Sequence, residues 1–285
     1  MNFNQITVGI VTFKSEKVIF DCLKSIKKIK NIIIFDNSYD YILKKKVKKK
    51  YPNVQFILSK KNLGYGAANN QIIKKSKKKY VFLISPDVIL KKNCENNLLK
   101  SVTKLRGDFS ILSPVSKIRN YGYFKKKDFS ESTKILEVDY VNGFALLLYR
   151  SKIKKIGMFD EQIFLYNEEI DLCKRLRLAK QKIFIDKSSE VIHHGAKSSN
   201  IGFEFEKCRN WHWMWSQVYF KKKYNNKFLV NLEFSLLLVL QILKILFYTL
   251  KFDKKEMISK TMRYLGTLNA LVGKKSWYRP KFDLN

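Results

Sequence analysis

Five apolar runs, at residues 6–13, 31–36, 54–58, 80–85 and 109–113, recur through the first 115 residues, and helix-like segments separate them. Strand, helix, strand in that order predicts a parallel sheet, because a parallel neighbour is reached only by a crossover connection. In the first connector Val18, Ile19, Cys22, Leu23 and Ile26 recur at helical spacing, and the later connectors carry lysine on their remaining faces. That is the pattern of helices covering a sheet. The expected class is therefore α/β, a Rossmann-like, mostly parallel sheet flanked by helices. In such sheets ligands sit at the carboxyl ends of the strands. Those ends read Thr12-Phe13, Asp36-Asn37, Lys61-Asn62-Leu63-Gly64 and Ser85-Pro86-Asp87.

The texture changes near residue 204. An aromatic segment, WHWMWSQVYFKKK, leads into an apolar stretch at 228–250 and a last helical segment at 254–272. We therefore expect a main domain over 1–203 and a helical appendage over 204–285. The stretch 228–250 is nominally long enough to cross a bilayer, since about 20 apolar residues suffice. Glu233, Gln241 and Lys244 interrupt it. A charge at the bilayer centre costs at least about 2.5 kcal/mol, which favours a helix lying in the interface or packed on its neighbours. Tryptophans and tyrosines beside Lys221, Lys222 and Lys223 suit headgroup depth. A helical hairpin or a dimer interface is the competing reading.

Charge bears on partners. The formal net charge is +33, carried mostly by lysine in short runs such as 44–50, 74–79 and 125–127. A surface of that sign attracts polyanions. Arginine forks, which specific readers of nucleic acid favour, are sparse, so diffuse lysine fits an anionic membrane face or a phosphorylated substrate better than a specific nucleic acid. A compositional lysine bias on solvated faces is the plain alternative. The four cysteines lie far apart with no C-x-x-C pair, which suggests neither a zinc knuckle nor a disulfide framework and fits a reducing cytosol. The start, MNFNQITVGIVTF, has no basic segment before its apolar run and reads as a first strand, so a cytoplasmic location is expected.

Four places carry candidate chemistry. The segment DYVNGFALLLYRSKIKKIGMFDEQIFLYNEEIDLCKR, residues 139–175, places Gly143 in a buried strand and then, after a sharp turn, Glu168, Glu169 and Asp171 at a helix start. Acidic residues are favourable in a first turn whether or not they catalyse. Residues 62–70, NLGYGAANN, follow a strand and open a helix, and small residues there let a backbone approach a ligand. They match neither the dinucleotide fingerprint nor the P-loop, and a tight turn is the simpler reading. Asp87 ends a strand where a phosphate-bound cation would sit, and Mg²⁺ or Mn²⁺ is usually held by one or two carboxylates plus phosphates. His193 and His194 follow a short apolar run at 190–192.

Together these stretches carry a resemblance. VGIVTFK, DNSYD, NLGYGAANN, ISPD, NGFALLLYR, GMFDEQIFLYNEEIDLCKR and HHGAKSS, in that order, resemble the successive motifs of family 2 glycosyltransferases with a GT-A fold, in particular the rhamnosyltransferase-like branch. The likeness covers nearly the whole chain, and the WHWMWSQVYFKKK segment is similar to that branch's carboxy-terminal extension. It implies a nucleotide-sugar donor over the sheet, lined by Thr12, Asp36, Asn62, Gly64, Asn70, Ser85 and Gly143. It implies a divalent cation, Mg²⁺ or Mn²⁺, on Asp87 and His193. It further implies a base at Glu169 that takes a proton from the acceptor hydroxyl as the anomeric centre inverts, with Glu168 as the other candidate. The acceptor it points to is a lipid-linked saccharide or cell-surface polysaccharide, reached from the inner face of the cell membrane. Asp171 and Arg175, four apart, are expected to form an ion pair that steadies the helix. Two positions depart from the family pattern: Ser85 stands where Asn or Asp is common, and Glu169 replaces the usual Asp. Those departures keep a second reading in view, a non-catalytic GT-A subunit.

Overall fold

A computed structural model describes residues 2–116, 134–195 and 202–279. The lysine run at 125–127 and the stretch after Gly195 lie outside these residues. The chain forms two compact units, the first from Met1–Asp160 and Glu169–Ser199, the second from Glu161–Glu168 and Asn200–Asn285.

The first unit is built on one mixed sheet. Strands β1 (Ile6–Thr12), β2 (Asn31–Asp36), β3 (Gln55–Leu58) and β4 (Tyr80–Ile84) lie parallel in the order β3-β2-β1-β4, joined by helices α1 (Glu16–Ser25), α2 (Tyr41–Lys50) and α3 (Tyr65–Lys75). Every residue of β1 is buried, as a strand covered on both faces must be. The period of two sorts β4 cleanly: Phe82 and Ile84 join a core with Ile19 and Leu23 of α1, while Val81 and Leu83 join a second core with Ile72 and Ile73 of α3. Gly9 lets α3 sit close on the sheet. A Cβ there would meet Ile72 Cγ2 at 2.6 Å and Leu83 Cδ2 at 2.8 Å.

The rest of the sheet departs from the sequence expectation. After β4 come β5 (Val88–Leu90), α4 (Cys94–Leu105), β6 (Ile111–Ser116), β7 (Ile135–Glu137) and β8 (Ala145–Tyr149). The chain continues through α5 (Arg150–Lys155), α6 (Glu168–Leu178) and β9 (Ile183–His193). The fifth apolar run, β6, does not neighbour β4. Instead β8 inserts between them, antiparallel to both, and β9 runs parallel beside β6. Gly143 precedes β8 in a turn rather than lying within the strand, and its carbonyl accepts from the Tyr65 side chain instead of a neighbouring strand. Buried Glu95 of α4 acts as a brace, its carboxylate accepting the backbone N–H groups of Lys27, Lys28 and Ile29 at 2.9–3.2 Å.

Among the described residues the second unit holds three helices, α7 (Phe203–Tyr224), α8 (Lys227–Leu250) and α9 (Lys254–Leu271). Side chains cap two of them: Asn226 Oδ1 accepts from Phe228 and Leu229 N–H, and Asp253 Oδ1 from Glu256 N–H. Trp211, Trp215, Val218, Val230, Phe234 and Met262 form the core. Gly266 of α9 packs directly on the α7 backbone, where a Cβ would lie 2.2 Å from Trp211 O. By length and composition α8 suffices to cross a membrane. It buries Val230, Phe234 and Gln241 and exposes an apolar stripe at Leu229, Leu232, Leu236, Leu240, Leu243 and Leu250. Of the interrupting polar residues, Glu233 pairs with Lys221 and Lys244 is exposed.

Candidate active site

The turn after β4 and the end of β9 meet through a three-residue ladder. Val88 pairs with His193, Ile89 with Ile192 and Leu90 with Val191, and His194 N–H donates to Asp87 O at 3.3 Å. This pairing sets His193 Nε2 3.6 Å from Asp87 Oδ1. Asp87 is 2% exposed, and neither carboxylate oxygen has a hydrogen-bond donor among the described residues. A buried carboxylate without donors is costly, and a hard cation is what relieves it. The pair therefore fits Mg²⁺ or Mn²⁺. Among the described residues no cluster of three or more His, Cys, Asp or Glu is present, and Asp87 and His193 are the two candidate ligands at this point.

Glu169 stands on the other side of one turn. Its carboxyl is raised above the ordinary glutamate range by burial, and the N–H groups of Gly143 and of Glu169 itself draw it partly back. A Cβ on Gly143 would lie 3.6 Å from Glu169 Cδ and 3.6 Å from Tyr65 Cε1, and Tyr65 Oη donates to Gly143 O at 2.6 Å. The next residue, Phe144, accepts Ser85 N–H at 2.8 Å and stacks on the His193 ring at 4.9 Å. Two consecutive residues thus join the carboxylate of α6 to the Asp87–His193 pair. Glu168, the first residue of α6, is buried. The turn before it holds Tyr166 and Asn167 at φ 70° and 68°, left-handed backbone that non-glycine residues adopt only under constraint. Arg175 Nε donates to buried Asp171 at 2.8 Å and its terminal nitrogens to Ile156 O and Met158 O, so this ion pair clamps the preceding loop.

The expected donor-lining residues divide. Asp36 is fully buried, and Thr12 Oγ1, Ser38 N, Ser38 Oγ and Asp40 N all donate to it at 2.8–3.1 Å. Burial raises its carboxyl and these donors lower it. Thr12 and Asp36 therefore shape the exit of β2, and a ribose hydroxyl reaching Asp36 has to share oxygens already satisfied. Asn62 Oδ1 accepts Gly64 N–H at 3.0 Å, and Gly64 caps α3 at φ 84°. Asn70 is buried and fastens the backbone of Phe159 through both amide atoms, at 2.9 and 3.0 Å. It ties α3 to the loop ahead of the acidic helix. Two residues outside the sequence-based set belong to the same frame. Asn37 holds Leu63 N–H and Gly64 O, each at 3.1 Å, and Tyr65 holds Gly143. Their place beside Asp36 and Gly64 was the available signal.

A model of the family described as Glycosyl transferase family 2 matches residues 7–186. The chain belongs to that family. This family 2 glycosyltransferase is 30% identical over 210 residues to Rhamnosyltransferase WbbL of Escherichia coli (strain K12), covering 64% of this chain and 78% of that protein. Over 62 residues it is 40% identical to the N-acetylglucosaminyl-diphospho-decaprenol L-rhamnosyltransferase of Mycobacterium tuberculosis, covering 22% of this chain and 20% of that one. These likenesses place it in the rhamnosyltransferase-like branch. Among solved structures it is similar to mannosyltransferase PcManGT from Pyrobaculum calidifontis in complex with GDP-Man and Mn²⁺. The TM-score is 0.58 at 9% identity, over 94% of this chain and 87% of that one, a likeness of fold. The fold is GT-A, and family 2 glycosyltransferases are enzymes that draw sugar from nucleotide-sugar donors.

Proposed function

We propose that this enzyme is an inverting, divalent-cation-dependent glycosyltransferase that moves a sugar onto a lipid-linked or cell-surface polysaccharide acceptor. Residues 1–203 carry the transfer, and 204–285 form an appendage that rests on the anionic inner face of the cell membrane. What carries the reading is the turn at Gly143–Phe144, which joins a carboxylate of raised pKa to a buried aspartate that has no hydrogen-bond donor among the described residues and lies beside histidine. Glu169 accepts the proton of the acceptor hydroxyl as that oxygen attacks the anomeric carbon from the face opposite the leaving group. Its raised pKa brings it nearer to neutrality than an ordinary glutamate, which strengthens it as a base at working pH. Glu168 is the second candidate for that step. Asp87 and His193 would hold Mg²⁺ or Mn²⁺, which offsets charge on the departing nucleoside diphosphate when bound. Asn62, Gly64 and Ser85 line the donor, with Thr12, Asp36, Asn70 and Gly143 holding that lining in place. The printed names of the E. coli and mycobacterial relatives support rhamnose as the sugar, with dTDP-rhamnose as the first donor to try. The mycobacterial name also supports a diphosphate-linked lipid acceptor. The apolar stripe of α8, beside Lys221, Lys222 and Lys223, supports membrane contact.

The test is nucleoside diphosphate release from a panel of nucleotide sugars, with and without Mn²⁺ or Mg²⁺, using membrane extract as acceptor source. Cation-dependent release from one donor, abolished in Asp87→Ala and in Glu169→Gln, is the expected result. Release from no donor by the wild-type protein overturns the reading.

A further inference from the structure

The second unit contains a cavity of about 320 Å³ lined by Tyr166, Glu206, Arg209, Asn210, Trp213 and Arg263. Its chemistry is unlike that of the surrounding surface. Only eight of the 57 basic residues are arginine, yet two of them converge here. Each is anchored by its Nε, Arg209 to Tyr166 Oη at 2.7 Å and Arg263 to Asn210 Oδ1 at 2.8 Å. Among the described residues neither guanidinium forms an ion pair, because the carboxylate lining the cavity, Glu206, pairs with Lys255 at 3.5 Å. Each guanidinium is therefore held at Nε, and its terminal nitrogens are uncommitted among the described residues. That is the arrangement that grips phosphate oxygens two at a time. Trp213, 42% exposed, stands edge-on to Tyr166 at 5.1 Å and offers a ring face beside the guanidinium groups. Tyr166 also begins the left-handed turn and precedes Glu169 by three residues in the chain.

We propose that the Arg209–Arg263 cavity binds the diphosphate of the acceptor, with Trp213 under the sugar attached to it. The proposal rests on the transferase reading above, with its diphosphate-linked acceptor, and assigns the side chains that hold that diphosphate.

The experiment uses the whole chain and inorganic pyrophosphate as probe, titrated in EDTA so that no cation draws it to Asp87. Wild type and Asp87→Ala should bind alike. Arg263→Gln should weaken binding about 10- to 100-fold, the effect of losing a charge-assisted pair of hydrogen bonds, and Arg263→Lys should restore part of it. Donor hydrolysis into water by Arg263→Gln should match wild type, while the KM for a diphosphate-linked acceptor rises at nearly constant kcat. Equal pyrophosphate affinity in wild type, Arg263→Gln and Arg209→Gln overturns the proposal. So does a dependence on Arg263 that appears only with phosphatidylglycerol vesicles, which would make the cavity a headgroup site. Loss of donor hydrolysis in the wild type would instead count against the transferase reading, with the pyrophosphate titration still deciding the cavity.

Discussion

Replacing Asp87 by asparagine should produce melting curves whose order reverses on adding metal. Without a cation, the wild-type side chain is a buried carboxylate with no hydrogen-bond donor among the described residues. An unsatisfied buried polar group costs about 1–3 kcal/mol, and more when charged. Asparagine removes the charge at nearly constant volume, so the cation-free variant should gain about 1–2 kcal/mol. For a unit of this size that is a rise of about 3–6 °C in its transition. Saturation reverses the sign. Mn²⁺ at one hundred times its dissociation constant adds about 2.7 kcal/mol to a protein that binds it only when folded. The wild type should then overtake the variant by several degrees, and the variant should barely respond. The assay is a pair of thermal melts of the first unit's transition, in EDTA and in excess Mn²⁺, with His193→Gln showing a reduced metal response. Two results refute the reasoning. An equal Mn²⁺ shift in Asp87→Asn would mean the carboxylate is not a ligand. A lower cation-free melting point would mean it already has a structural partner.

Other substitutions test the remaining frame. Glu169→Gln should abolish transfer while leaving the fold intact and raising stability at neutral pH by about 0.5–1 kcal/mol. The sign follows from its raised pKa: the folded protein is favoured while Glu169 stays protonated, and that advantage is lost as pH rises from the ordinary glutamate range through the folded-state value. Denaturation at pH 4 and pH 8 checks this, since the gap between variant and wild type should open only at the higher pH. The acidic limb of the kcat/KM profile should accordingly lie above the ordinary glutamate range. Glu95→Ala should cost about 2–4 kcal/mol in urea denaturation, because three backbone N–H groups lose their acceptor. In Gly266→Ala, helix propensity favours alanine by about 1 kcal/mol, yet the Cβ would stand 2.2 Å from Trp211 O. Separating α7 from α9 at a backbone contact costs about 3 kcal/mol or more, so the second unit should lose about 2 kcal/mol net.

Local pattern made the left half of the sheet legible. Strands β1 to β4 announce themselves as apolar runs, and the connectors carry helical spacing, so direction and layer follow from covalent geometry. The helices of the second unit were equally plain, since the apolar stretch at 228–250 and the segment at 254–272 fall on α8 and α9. Adjacency in the right half was not legible. Nothing in the run 145–149 says that it slides antiparallel between β4 and β6, because a fully buried strand looks alike in either direction. The ladder β5 is three residues long, too short for any period. At the site, residue types and order singled out Asp87 and His193, which the β5–β9 ladder brings together, but side-chain commitments did not follow from them. Asp36 accepts from Thr12 on the neighbouring strand, Asn70 is occupied by the backbone of distant Phe159, and the two arginines, 54 residues apart in number, meet from different helices. Such pairings depend on tertiary contact, which local periodicity does not encode.

The β5–β9 ladder has a consequence for how activity arises in time. Asp87 lies early in the chain, but the strand that brings His193 to it is the last of the sheet. Strands β1 to β4 can associate while synthesis is still under way, since their crossovers are short. The site cannot be completed until β9 has been made and has docked across more than one hundred residues of intervening chain, a slow step for a long-range pairing. Until then the buried aspartate has neither its histidine nor a well-formed place for a cation. Divalent metal in the folding buffer should therefore change the final docking rate of β9 and leave the early collapse of the sheet unaltered.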